Sequence, residues 1–271
     1  MPLSHRSLET PRRRVAPLLV LAASLGCGAL HAADPSPAPP AGAADASALD
    51  PQALDALNVM GRHLRELKTF EVHADTTIDE VGDDGQKLQF GGTVDYKVKR
   101  PDRLRAEIDS DRQQRTFYFD GKTLTQYAPR MGYYASVPAP ATLRDLAGIL
   151  QGKYGVTLPL TDLFRWGEEK DDSAGLTGAA FIGPAKIGGA ECGHYAYRQN
   201  DADWQVWIAQ ASNLPCKLVI TTLDEPQQPQ YAAVFTWKPN VAFDDKTFVF
   251  EPPKTAHRIE IATVADSASG Q

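Results

Sequence analysis

GGAECGHYAYRQNDADWQVWIAQASNLPCKLVITTL, from Gly188 to Leu223, alternates apolar and polar residues in three short runs, as half-buried strands do. The runs are Cys192 to Arg198, Asp203 to Ala209 and Cys216 to Thr222, separated by polar turns at Asn200-Asp201 and Ser212-Asn213. An antiparallel meander is expected. In the middle run Trp204, Val206 and Ile208 share one face, and Gln205, Trp207 and Ala209 share the other. Bulk on both faces predicts a central strand covered from both sides, or one whose outer Trp packs under a loop.

Upstream the same period recurs. Phe70, Val72, Ala74 and Ile78 alternate with Glu71, His73, Asp75 and Asp79. After the turn Gly82 to Gly85, Leu88, Phe90, Val94, Tyr96 and Val98 alternate with charged and polar residues. Beyond Pro101-Asp102, Leu104, Ala106 and Ile108 do the same; Phe117 and Phe119 then precede the Asp120-Gly121 turn and a strand near Thr123 to Tyr127. Downstream, Tyr231 to Trp237 reads as a strand, Phe248 and Phe250 precede Pro252-Pro253, and Ile259 and Ile261 come before a polar tail. Consecutive short strands with tight turns predict an antiparallel sheet with one wet and one dry face. The dry face needs a cover.

Three helices are predicted. Asp50 can cap the first, Pro51 suits its first position, and Leu49 can staple against Leu54. Leu54, Leu57, Leu64 and Leu67 lie along one face of it, with Met60 between. Thr142 with Asp145 imitates a capping box before Leu143, Leu146, Ile149 and Leu150, and Gly155 ends that helix. Pro159 opens a shorter one with Leu160, Leu163, Phe164 and Trp166, after which Glu168 to Gly178 reads as a loop.

The N-terminus has the three parts of a secretory signal: Arg12 to Arg14, an apolar run from Val15 to Leu30, and small residues at Ala32 and Ala33. The run is shorter than the ~20 residues that cross a bilayer and contains Pro17, which argues against an anchor. Residues 1–32 are read as signal peptide, 33–48 as a disordered Ala/Pro/Ser/Gly tether, 49–263 as a single domain and 264–271 as a polar tail. Leu25-Gly26-Cys27 resembles the end of a bacterial lipobox, which would anchor the protein through Cys27; Ser24 stands where that motif usually has Leu, so plain cleavage is the reading kept. The formal net charge of −6 becomes more negative once the four arginines of the signal are lost, which argues against nucleic acid as a partner.

Catalytic signatures are wanting. His63, His73, His194 and His257 lack the spacings that put imidazoles on one metal, and there is no CxxC. The chain has no G-x-S-x-G elbow and no Gly-rich piece between a strand and a helix. Neither enzyme activity, metal nor cofactor is expected. Cys192 and Cys216, exported together, are expected to form a disulfide. Geometry makes the bond conditional. In a simple meander both cysteines face Ala209 across the middle strand and stand roughly 10 Å apart, beyond the ~7 Å that a disulfide spans. The middle strand must therefore end or peel away near Ile208.

Several stretches resemble a family of predicted periplasmic bacterial proteins of unknown function. They are FDGKTLTQYAP (119–129), MGYYASVPAPATL (131–143), KYGVTLPLTDLF (153–164), the 194–221 stretch with its D-W-Q-x-W-I core at Asp203 to Ile208, and FVFEPPKTAHRIE (248–260). The match covers about Arg115 to Ile261, and the family is similar in fold to the lipoprotein carriers LolA and LolB and to the mycobacterial lipoprotein LppX. The resemblance implies an α+β fold, a strongly curved antiparallel half-barrel with helices covering a concave apolar face. By that analogy Phe90, Tyr96, Leu104, Ile108, Phe117 and Phe119 line a cavity, with Leu146, Ile149, Leu150, Leu163 and Phe164 as its lid; the same residues could instead simply fill a core. A periplasmic monomer is implied, with a lipid or lipoprotein acyl chain as ligand or an envelope protein as partner.

Overall fold

The first helix, α1 (Pro51–Glu66), starts where its cap dictates. Asp50 Oδ1 accepts from the Gln52 amide at 2.9 Å, while its other oxygen accepts from the Phe181 amide at 3.0 Å. One carboxylate thus caps the helix and ties it to a strand more than a hundred residues away. Ala53, Leu57, Met60 and Leu64 are buried along α1. The expected Leu49–Leu54 staple does not form: Leu49 is 45% exposed and bridges Ala179 in parallel pairing instead. The structure is a computed structural model that describes residues 49–139, 142–167, 175–261, 263 and 264. The signal peptide, Cys27, the tether and most of the polar tail fall outside those residues, as does much of the loop expected from Glu168.

Six strands follow α1 as a meander: β1 (Thr69–Val81), β2 (Lys87–Lys99), β3 (Arg103–Ser110), β4 (Gln114–Phe119), β5 (Thr123–Ala128) and β6 (Tyr133–Pro138). Two helices, α2 (Leu143–Tyr154) and α3 (Asp162–Arg165), precede a second meander of β7 (Gly178–Ile187), β8 (Ala190–Arg198), β9 (Ala202–Ala209), β10 (Pro215–Thr222) and β11 (Gln230–Pro239). A 3₁₀ turn, Asp245–Phe248, and the two-residue β12 (His257–Arg258) close the fold. The strands form one curved, unclosed sheet in the order β12-β6-β5-β4-β3-β2-β1-β11-β10-β9-β8-β7. Among the described strand pairs, β12–β6 alone is parallel, besides the single Leu49–Ala179 bridge. The fold is the α+β half-barrel.

That order explains where the helices lie. β11 returns to pair with β1, Val72 facing Trp237, so the two meanders meet in the middle of the sheet. β6 and β7 consequently stand near opposite edges, and the chain between them must traverse the sheet. It carries α2 and α3 across the concave face, where the apolar residues of β1–β4 wait for cover. The signals of α2 match the structure, since Thr142 Oγ1 accepts from the Asp145 amide and Gly155 terminates the helix in the left-handed conformation; the shorter helix expected to open at Pro159 begins only at Asp162, because Leu160 takes φ +58°.

Three expectations are corrected. β6 was not foreseen as a strand, because only Ala135 of Tyr133–Pro138 is buried and the apolar alternation is faint. The outer face of the sheet is not wet throughout. Tyr118, Tyr127 and Tyr134 form a ring cluster there, and Phe250 packs on all three with centroids 5.0 to 5.3 Å away, so the C-terminal segment clothes β4–β6. Lys99 Nζ holds Asp245 at 2.7 Å at the start of that segment. The ring partners of Trp207 among the described residues lie on the flanking strands rather than in a covering layer or loop: His194 stacks on it at 4.0 Å and Lys217 lies 4.8 Å from its ring.

The disulfide condition is met by a bulge. Cys192 faces Ala209 as expected, but on β10 Pro215 pairs with Ile208 and Lys217 with Trp207, leaving Cys216 as the extra residue. Cys216 thus sits beside Trp207 and Ile208, just short of the end of β9 at Ala209, and bonds Cys192 with the Cα atoms 7.2 Å apart.

Candidate functional site: the concave face and its helical cover

Nine of the eleven residues expected to line a cavity or its lid meet in one buried cluster. Tyr96, Leu104, Ile108, Phe117 and Phe119 contribute from the sheet, Leu146 and Leu150 from α2, and Leu163 and Phe164 from α3. The two others lie apart. Ile149 is 37% exposed, because the inward stripe of α2 runs through Leu143, Leu146 and Leu150 and leaves position 149 on the flank. Phe90 is only half-buried, with the Arg112 guanidinium 5.1 Å from its ring. Its neighbours explain this: Ile78, its partner on β1, and Leu88 are exposed as well. The β1–β2 hairpin outruns the helices, so the apolar period continues beyond the cover. Here Asp79 is buried instead, held by Lys87 at 3.0 Å, the Gln89 amide and the Gln230 backbone.

The Tyr96 hydroxyl donates to the Pro159 carbonyl, and its ring meets Phe164 edge-on at 5.2 Å. Burial pushes the Tyr96 phenol far above its ordinary range, so it stays a neutral donor. The Leu143 amide donates to the Pro101 carbonyl at 3.0 Å, fixing the start of α2. Burial also raises the Asp162 carboxyl at the start of α3, opposed by Arg165. α1 completes the enclosure, with the Tyr197 hydroxyl bonded to the Ala53 carbonyl at 2.8 Å and Trp204 stacked between Tyr197 and Trp166. The pairing of Trp204 with Trp166 was not legible beforehand. At the β7 edge a groove of about 300 Å³ lies beside Ala179, Ile182, Tyr197 and Trp204.

The histidines are dispersed. His73 bonds Asp95 at 2.8 Å, and that bond raises its pKa from 6.5 even though burial opposes it. His194 has its pKa lowered, first by burial, while the bond to Gln205 opposes and Lys217 adds to the lowering. The stabilising contribution of His73 is therefore complete below the ordinary histidine value and fades as pH rises through its folded value; that of His194 is complete above the ordinary value and fades as pH falls through its folded value. In an NMR titration of the imidazole protons, His73 is expected to titrate above 6.5 and His194 below it; coincident midpoints would contradict the geometry.

A family model described as "Predicted periplasmic protein (DUF2092)" matches residues 53–262. No curated protein sequence matches the chain. Among solved structures, LppX of Mycobacterium tuberculosis is 16% identical with a TM-score of 0.44, over 72% of this chain and 98% of that one. LprF from Mycobacterium bovis is 13% identical with a TM-score of 0.41, over 77% and 99%. The MucA/MucB complex of Pseudomonas aeruginosa is 10% identical with a TM-score of 0.33, over 74% and 61%. Likenesses this distant say nothing of what this chain binds.

Proposed function

The chain belongs to the predicted periplasmic protein family DUF2092, and from that periplasmic setting we propose that it is a non-enzymatic protein binding or carrying a lipophilic ligand, a lipid or lipoprotein acyl chain, between the concave face and α2–α3. The observation that carries this reading is the unbroken apolar surface shared by the sheet and two short helices. An acyl chain would enter by parting α2 and α3 from Tyr96, Leu104, Ile108, Phe117 and Phe119, exchanging one set of apolar contacts for another. The cover is built weakly enough to part. α2 carries Gly148 and Gly152, and a Cβ at either would meet nothing within 4 Å, so packing does not require them. Together they cost the helix about 1–2 kcal/mol relative to alanine.

Native mass spectrometry of gently purified protein, with organic extraction, should recover a bound lipid. The G148A/G152A variant should be more stable to heat and slower to take up an added fatty acid. Protein that stays empty after incubation with fatty acid, and a variant with unchanged uptake, would overturn the reading. The direct Tyr96–Phe164 contact favours a second one, an envelope protein-interaction module whose core is filled. A lipid-free protein that pulls down a stable envelope partner would support that alternative.

A further inference from the structure

One buried hydroxyl on the concave face is left unused by the fold. Tyr231 on β11 pairs with Ile220 of β10 on one side and with Ile78 of β1 on the other. The residue as a whole is half-buried, yet its hydroxyl oxygen is shut off from solvent and finds no hydrogen-bond partner among the described residues. The ring therefore shows its base to the uncovered end of the sheet, where Ile78 is 43% exposed, and its tip to the interior. Two other buried phenols are spoken for, Tyr96 donating to the Pro159 carbonyl and Tyr197 to the Ala53 carbonyl at 2.8 Å. The Thr76 hydroxyl, diagonal to Tyr231 on β1, lies near enough to oppose the rise in pKa that burial causes, but no hydrogen bond of sound geometry joins the two. A buried donor without an acceptor costs more than an average hydrogen bond returns, and native folds carry few. A ligand oxygen would remove that cost.

The surroundings say which kind of oxygen. Inward of Tyr231 on the same face lie Ala233 and Ala74, both wholly buried, and outward the apolar row runs across Ile78 to Phe90, beyond the helices. Tyr96 feels the Tyr231 phenol from the covered side, so the two hydroxyls share one interior. Burial pushes the Tyr231 phenol above its ordinary range, which keeps it a neutral donor at any physiological pH. A lone neutral donor set among hydrocarbon matches an acceptor that is itself set in hydrocarbon, and the carbonyl of an acyl group is such an acceptor. We infer that Tyr231 is the polar anchor of the ligand, its hydroxyl donating to the acyl carbonyl of a lipid that lies along the concave face from Ile78 inward; the inference rests on the lipid-binding reading and adds to it the ligand's acceptor and the place where it is held. The small side chains of Ala74 and Ala233 leave the inward part of the acyl chain against the sheet, and the uncovered Ile78–Phe90 row receives the outward part.

The experiment sets Tyr231→Phe against the native protein with two uncharged probes of equal chain length, methyl laurate and tetradecane. Phenylalanine keeps the ring and removes only the hydroxyl. The native protein should bind methyl laurate about tenfold more tightly than Y231F does, and the two proteins should bind tetradecane equally. Ligand-free Y231F should melt no lower than the native chain, because the hydroxyl it loses has no bond to give up. Tyr197→Phe, which forfeits the bond to the Ala53 carbonyl, should melt lower and serves as the contrast. A Y231F protein that melts as low as Y197F would show that the hydroxyl serves the fold, and overturns the anchor. Methyl laurate bound equally by native protein and Y231F overturns the anchor and leaves the lipid-binding reading intact. Failure of both probes to bind either protein overturns that reading, and the anchor with it.

Discussion

Alanine at Gly167 is expected to destabilise the protein by about 3 kcal/mol, the sum of an overpacked contact and a left-handed backbone that a Cβ opposes. Gly167 has φ +75°, directly after Trp166 at the end of α3. A Cβ built there would overlap the carbonyl carbon and oxygen of Gly61 and come within 2.8 Å of the Arg62 amide nitrogen. These are backbone atoms in the middle of α1, so no side-chain rotation relieves the clash. Either α1 or the end of α3 must move. Both alternatives disturb Trp166, which stacks over Trp204, so a change in tryptophan fluorescence should accompany the lower melting temperature. Gly152→Ala is the control, since nothing lies within 4 Å of its Cβ position and the same chemical change should there be stabilising. A Gly167→Ala protein that melts within a degree or two of the native chain would show that the two backbones do not meet as described.

Local signals were legible because their physics is local. Asp50-Pro51 and Thr142 with Gly155 announced the ends of α1 and α2, and alternation placed Tyr96, Leu104, Phe117 and Phe119 on one face. What alternation cannot report is how far a cover reaches. Ile78, Leu88 and Phe90 keep the period of their buried neighbours but stand beyond the helices, so their exposure depends on a connection made elsewhere in the chain. The outer ring cluster was hidden for the same reason. Tyr118, Tyr127 and Tyr134 look like residues of a solvent face until Phe250, more than a hundred residues from Tyr134, is folded back on them. The candidate site was thus readable as two apolar stripes, one on the sheet and one on the helices; their meeting follows from β6 and β7 lying near opposite edges.

Loss of the Cys192–Cys216 bond is expected to cost about 3.5 kcal/mol, the chain-entropy value for a closed loop of roughly 25 residues. The cysteines are 24 residues apart in sequence, with β9 and both of its turns between them. In the unfolded chain the bond therefore restrains the whole meander that carries Trp204 and Trp207. In the folded chain its role is narrower. It joins β8 to β10 across the last residues of β9, at the bulge in β10. A C192A/C216A variant avoids placing hydroxyls where both cysteines are buried. It should melt roughly 7–14 °C lower for a domain of this size. Reduction of the native protein should produce the same shift, and the variant should be indifferent to reductant. Hydrogen exchange should locate the folded-state part of the effect, with lost protection concentrated at the β9–β10 turn and little change across β1–β4. A thiol titration of unreduced, denatured protein that found both cysteines free would exclude the bond, and a variant as stable as the oxidised chain would mean that the ladder alone holds the meander's register.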